Sequence, residues 1–111
     1  MQSADRKAAT AAYKERKSVA GIYAFRCEAS RELWVGRAPD LATIENRLRF
    51  TLRHGGHRQR SLQAAWNAHG PDAFRFEALE RLEDEDIAYV LDRVLKERLA
   101  HWQAKLGAEA L

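Results

Sequence analysis

The stretch Ala20–Gly36, AGIYAFRC-EASR-ELWVG, decides the fold. Its first eight residues have the β-branched and aromatic content of a strand, which predicts one over Ala20–Cys27. Glu28-Ala29-Ser30-Arg31 is polar and short, as a turn must be. Glu32–Gly36 then reads as a second strand. Two strands joined by so few residues pair most simply as an antiparallel hairpin. Tyr23 is expected beside Trp34 on the partner strand, with both side chains on one face.

Outward from this hairpin the signals alternate between helix and strand. Asp40, after Pro39, is an N-cap candidate because its carboxylate can accept free N–H groups of a first helical turn. Leu41, Ile44, Leu48 and Leu52 recur at spacings of three and four and form one apolar stripe. Gly55-Gly56 ends that helix. A shorter helix is predicted over Ser61–His69, capped by Ser61 and stopped by Gly70. Ala73–Leu82 alternates Phe74 and Phe76 with Arg75 and Glu77, a third strand. The acidic run Glu83–Asp86 suits the positive end of a helix dipole, and a long helix is expected from there to about Leu106. At the other end, the alanine-rich, charged residues 4–17 predict one further helix. The fold class is α/β (α+β): three strands in a small antiparallel or mixed sheet, flanked by helices. The expected division is a helical extension over 1–18, one domain over 19–106 and a tail over 107–111.

Composition narrows the function classes. The 111 residues are 46% apolar and 32% charged, with 6 Gly and 2 Pro, values of a globular chain with room for one core. No apolar run approaches the roughly 20 residues that span a bilayer, and residues 1–17 lack the apolar stretch of a secretory leader. No membrane partner is expected. The single cysteine, Cys27, lies in an apolar stretch and reads as a core residue, consistent with a reducing, cytoplasmic setting. Charge is unevenly placed. Residues 1–70 hold 13 Lys/Arg against 6 Asp/Glu, and residues 71–111 hold 6 against 10. The densest block contains Arg47, Arg49, Arg53, Arg58 and Arg60 with His54 and His57, and no acid between Arg47 and Arg60. Guanidinium groups grip phosphate oxygens in pairs, so the block suits nucleic acid.

Gly21-Ile22-Tyr23 followed by Leu33-Trp34-Val35-Gly36 resembles the signature of the GIY-YIG nuclease superfamily. Asp40-Leu41, Gly55-Gly56-His57, the run Leu62–Gly70 and the strand Phe74–Glu80 follow in the family's order, so the resemblance extends over about residues 19–106. It implies an endonuclease fold with a central three-stranded antiparallel sheet, in which two tyrosines, a helical arginine and a glutamate converge on one face. The glutamate holds one divalent ion, Mg2+ or Mn2+ if the site is active. Such groups steady the charge that builds on a scissile phosphate.

The carry-over is incomplete. Tyr23 and Gly36 match. The second tyrosine is Trp34, whose indole donates but cannot accept a proton as a phenolate does. An ungapped register puts the arginine at Ile44, and a histidine usual one turn on is Leu48. Arg47, three residues after Ile44, is the nearest substitute cation. Anchored on Trp102, the metal-binding glutamate falls on Leu99. The nearest acid, Glu97, is two residues earlier and about 200° round the helix, so a bulge or shifted helix is required to bring it to the site. The resemblance thus nominates Tyr23, Trp34, Arg47 and Glu97 as the catalytic set, with Glu97 also the metal ligand. Arg37, Arg49, Arg53, His57, Arg58, Arg60 and Asn67 are the expected nucleic-acid contacts. Two readings follow: a DNA-binding domain whose nuclease site is weak or inactive, and a divalent-metal endonuclease with a rearranged site. A third is an interaction domain whose basic helix meets an acidic protein.

Overall fold

The computed structural model describes residues 19–82 and 88–111. The predicted helix over 4–17 and the acidic run Glu83–Asp86 lie outside the described residues. Chain order is β1 (Ala20–Cys27), β2 (Leu33–Ala38), α1 (Leu41–Arg53), α2 (Arg60–His69), a single 3-10 turn (Pro71–Ala73), β3 (Phe74–Leu82), α3 (Ala88–Leu106) and β4 (Glu109–Ala110). Among the described residues no helix is long and apolar enough to cross a membrane.

The sheet has the order β3-β1-β2-β4. β1 is central and antiparallel to both neighbours. Its near-continuous apolar sequence follows from that position: every residue but Arg26 is buried, because helices cover both faces. Tyr23, Phe25 and Cys27 point with Trp34 and Phe74 toward Leu48 and Leu52 of α1 and Leu62 and Trp66 of α2. Ala20 and Ile22 point the other way, toward Leu95 of α3, with Leu91, Leu99 and Trp102 packed around them. Tyr23 and Trp34 do share a face, but they are offset. Tyr23 stands opposite Gly36, and Trp34 opposite Phe25. A Cβ at position 36 would run into the Tyr23 ring, so only glycine lets the phenol lie across β2.

Asp40 caps α1 as its position predicts, accepting from the Ala42 N–H at 3.0 Å and the Thr43 hydroxyl at 3.2 Å. Two expectations need correction. β2 runs to Ala38 rather than stopping at Gly36, because Gly21 and Ile22 offer it pairing partners. Ser61 does not cap α2: Gln59 is the capping residue, without a side-chain bond, and the Ser61 hydroxyl is engaged by Glu109 and Trp34. The three-stranded antiparallel sheet that the resemblance implies is present as β3-β1-β2, and β4 extends it to a mixed sheet of four. Gly107, in the left-handed region at φ 64°, turns the chain out of α3 so that Glu109–Ala110 pairs parallel to β2.

β3 carries a bulge. Ile22 pairs with Glu80 and Tyr23 with Ala78, leaving Leu79 as an extra residue. The alternation therefore changes face midway. Phe74, Phe76 and Ala78 serve the α1–α2 side, whereas Glu80 is turned toward α3, where it accepts from Arg98 Nε and Trp102 Nε1, both at 2.8 Å. Burial alone would raise its carboxyl pKa, but the bonds from Trp102 and Arg98 and the Arg98 charge outweigh this and hold it below the ordinary carboxylate value. Glu80→Ala should cost about 2 kcal/mol, measured by urea unfolding, because it strands two donors. The sign in pH follows from the depressed pKa. The carboxylate's contribution is complete above the unfolded value of about 4.3 and is lost as pH falls through the folded one, so Glu80→Gln should flatten the acid limb of a melting-temperature profile.

Candidate functional site

Above the α1 side of β1 lies a cavity of 560 Å³. Tyr23, Arg37, Ile44, Arg47, Leu48, Thr51, His57, Arg58 and Leu111 contribute to its wall. Each element delivers its part for a local reason. The central strand holds Tyr23 rigidly, at 4% exposure and stacked on Phe76 at 5.2 Å. Burial pushes its phenol up to about 12, so at neutral pH it is a donor and not a phenolate. The apolar stripe of α1 faces the sheet at Leu48 and Leu52, which leaves Arg47 on the exposed flank of the same turn.

The loop between α1 and α2 fixes His57. Its backbone N–H donates to Gln63 Oε1 at 3.1 Å, and Gln63 Nε2 donates in turn to the Leu52 carbonyl and to Asn67 Oδ1, each at 3.0 Å. The Gln59 N–H donates to His57 Nδ1 at 3.0 Å, which leaves Nε2 to carry the proton of the neutral ring. Burial, then the Arg58 charge, lowers the His57 pKa below its ordinary value. The ring is therefore a neutral N–H donor at pH 7.

The nominated residues do not all meet. Tyr23, Arg37, Arg47, His57 and Arg58 share the cavity. Arg37 is paired with Asp92 of α3 at 3.0 Å, whereas Arg47 and Arg58 have no carboxylate partner among the described residues. Arg53 and Arg60 are exposed on the same helix–loop–helix unit. Arg49 turns inward instead. It pairs with Glu45 at 2.9 Å, donates to the carbonyls of Pro71 and Phe74, and lies over the Phe25 ring at 5.2 Å. Asn67 is exposed, its amide oxygen taken by Gln63. Trp34 is 1% exposed and does not reach this cavity; its Nε1 donates to Ser61 Oγ at 2.9 Å and Glu109 Oε2 at 3.1 Å. Glu97 is exposed on α3 and does not line the cavity, and Leu99 packs on the sheet face opposite Tyr23.

The donor set does not fit a divalent ion. Mg2+ and Mn2+ are ordinarily held through Asp or Glu oxygens, and no Asp or Glu side chain lines this cavity, whose polar side chains are a phenol, a hydroxyl, an imidazole and guanidinium groups. No group of three or more His, Cys, Asp or Glu side chains is placed to hold a metal among the described residues. What the wall does fit is an anion. Sequence reading missed Gln63, whose position four before Asn67 was its one signal, and Leu111, which enters the wall only through β4.

This architecture, with the Gly21-Ile22-Tyr23 and Trp34-Val35-Gly36 strands paired at its centre, is that of the GIY-YIG nuclease superfamily, and the resemblance read from the motifs holds. Two similar solved structures are of the homing endonuclease I-TevI. Its catalytic domain superposes with a TM-score of 0.69 at 25% identity, over 83% of this chain and 97% of that one. A single-substitution variant of the same domain gives 0.69 at 27% identity, over 80% and 84%. No protein-family model and no curated protein matches the sequence.

Proposed function

We propose that this GIY-YIG domain binds DNA through the face formed by Arg47, His57, Arg58 and Arg60, and cleaves it weakly or not at all. One observation carries the reading: the cavity beside Tyr23 presents Arg47 and Arg58, which have no carboxylate partner among the described residues, and a neutral imidazole donor, with no Asp or Glu among its lining residues. Cations without counter-charges attract a polyanion, and phosphate oxygens match the forked donors of Arg47 and Arg58. A second reading, an endonuclease with a rearranged site, has support in Tyr23 and Arg47 sharing one cavity.

Salt dependence tests the binding. Each phosphate neutralised adds about 0.9 to the slope of log affinity against log salt on duplex DNA. Affinity should therefore fall steeply between low and high salt. The pair Arg58→Glu and Arg60→Glu, both exposed, should weaken binding alike on unrelated sequences and reduce the slope by about 2. Fluorescence anisotropy reads both quantities. Affinity that is flat in salt, or unchanged by the charge reversals, would sink the proposal and leave an acidic protein as the partner to test.

A further inference from the structure

α1 exposes an aromatic ring beside this cavity. Phe50 is 58% exposed, unlike the other phenylalanines, which are buried or half-buried in the core. Its ring rests on the His54 imidazole, with centroids 4.2 Å apart and planes tilted by 32°. His54 Nδ1–H donates to the Phe50 carbonyl at 2.8 Å, so the imidazole is pinned beneath the phenyl ring. Phe50 also closes a shallow cleft of 330 Å³ whose other walls are Asn46, Arg47 and Thr51. Arg47 and Thr51 line the Tyr23 cavity as well. The two depressions therefore meet along one edge of the helix.

From this we infer that Phe50 is a stacking platform for an unpaired base, and that the preferred ligand is a single strand, or a junction carrying one, rather than intact duplex. The inference rests on the proposed nucleic-acid reading and deepens it. A phosphate held by Arg47 leaves its neighbouring base within reach of the adjoining cleft. Duplex DNA hides its base faces, whereas a single strand offers one per nucleotide, and any base can stack on a phenyl ring. Asn46 at the cleft wall offers an amide to a base edge. The surroundings speak against a protein partner. Arg47 at the cleft wall and Arg58 in the adjoining cavity favour a polyanion over an uncharged apolar partner.

The test is anisotropy of one labelled oligonucleotide, presented as a single strand and as a blunt duplex, against the full chain and three variants. Phe50→Ala should weaken single-strand binding by about five- to a hundredfold and leave duplex binding within about twofold. Phe50→Leu, apolar but without a π-face, should lose as much, which separates stacking from simple burial. Phe50→Trp should retain affinity, with its added emission quenched by the single strand. Thermal melting by circular dichroism verifies that each variant is folded. Equal losses on both ligands, or none on either, overturn the stacking platform while leaving the basic face intact. Absence of salt-dependent binding to both ligands overturns the nucleic-acid reading and the platform with it.

Discussion

Supercoiled plasmid and branched DNA incubated with the purified protein and magnesium or manganese should remain uncut. In the register that the resemblance implies, three groups that GIY-YIG chemistry relies on are replaced. Trp34 stands where the second tyrosine is expected, and its indole is spent on Ser61 and Glu109. Ile44 stands at the arginine position and packs against the core. Leu99 stands at the glutamate position and packs against Ile22 and Leu95. Loss of one preorganised group that stabilises developing charge costs on the order of 10²–10³ in rate, and loss of several leaves little to detect. Tyr23 does not make up the difference, because a phenol pushed up to about 12 is almost wholly protonated at neutral pH. Two variants decide the matter. Cleavage that Glu97→Gln abolishes, with the fold intact, would establish the rearranged enzyme. Cleavage that survives both Glu97→Gln and Tyr23→Phe belongs to a contaminating nuclease.

The largest effect on stability is expected at Trp34→Ala. The ring is 1% exposed and packs near Phe74 at 6.4 Å between centroids. Truncating a buried tryptophan costs about 3–5 kcal/mol, against a total of about 5–15 for a domain. The indole N–H also ties β2 to Ser61 and Glu109, so its removal frees β4. Urea unfolding should give that loss. Hydrogen exchange should in addition lose protection at the Leu111 amide, which donates to the Val35 carbonyl at 2.8 Å. Trp34→Phe keeps most of the packing and should cost less than half as much. A Trp34→Ala loss under about 1 kcal/mol would show that the ring is not part of the core.

The hairpin and α1 were legible because their signals are local: an apolar run, a polar turn, a cap and a stripe. Those signals reached the strand β1 residue for residue. The bulge was not legible, since β3 switches faces only because it must serve two helical layers. Neither was β4: two residues carry no periodicity, and its pairing depends on an edge of β2 left open in three dimensions. The basic block was visible as composition, but composition does not say that Arg49 points inward to carbonyls and Phe25 while Arg47 points outward. Phe50 passed unnoticed for the same reason. Its place on the exposed side of an amphipathic helix becomes meaningful only beside the Tyr23 cavity.

The bulge at Leu79 also divides the molecule's vulnerability. Below it, β3 answers to α1 and α2; above it, to α3. A change at Leu95 or Leu99 of α3 meets Ala20 and Ile22 first, whereas a change at Leu48 or Leu52 of α1 meets Phe25 and Phe74 first. Arg37 bridges the two sides, lining the cavity while Asp92 of α3 holds it at 3.0 Å. Damage to one layer therefore reaches the other through the sheet or through this ion pair.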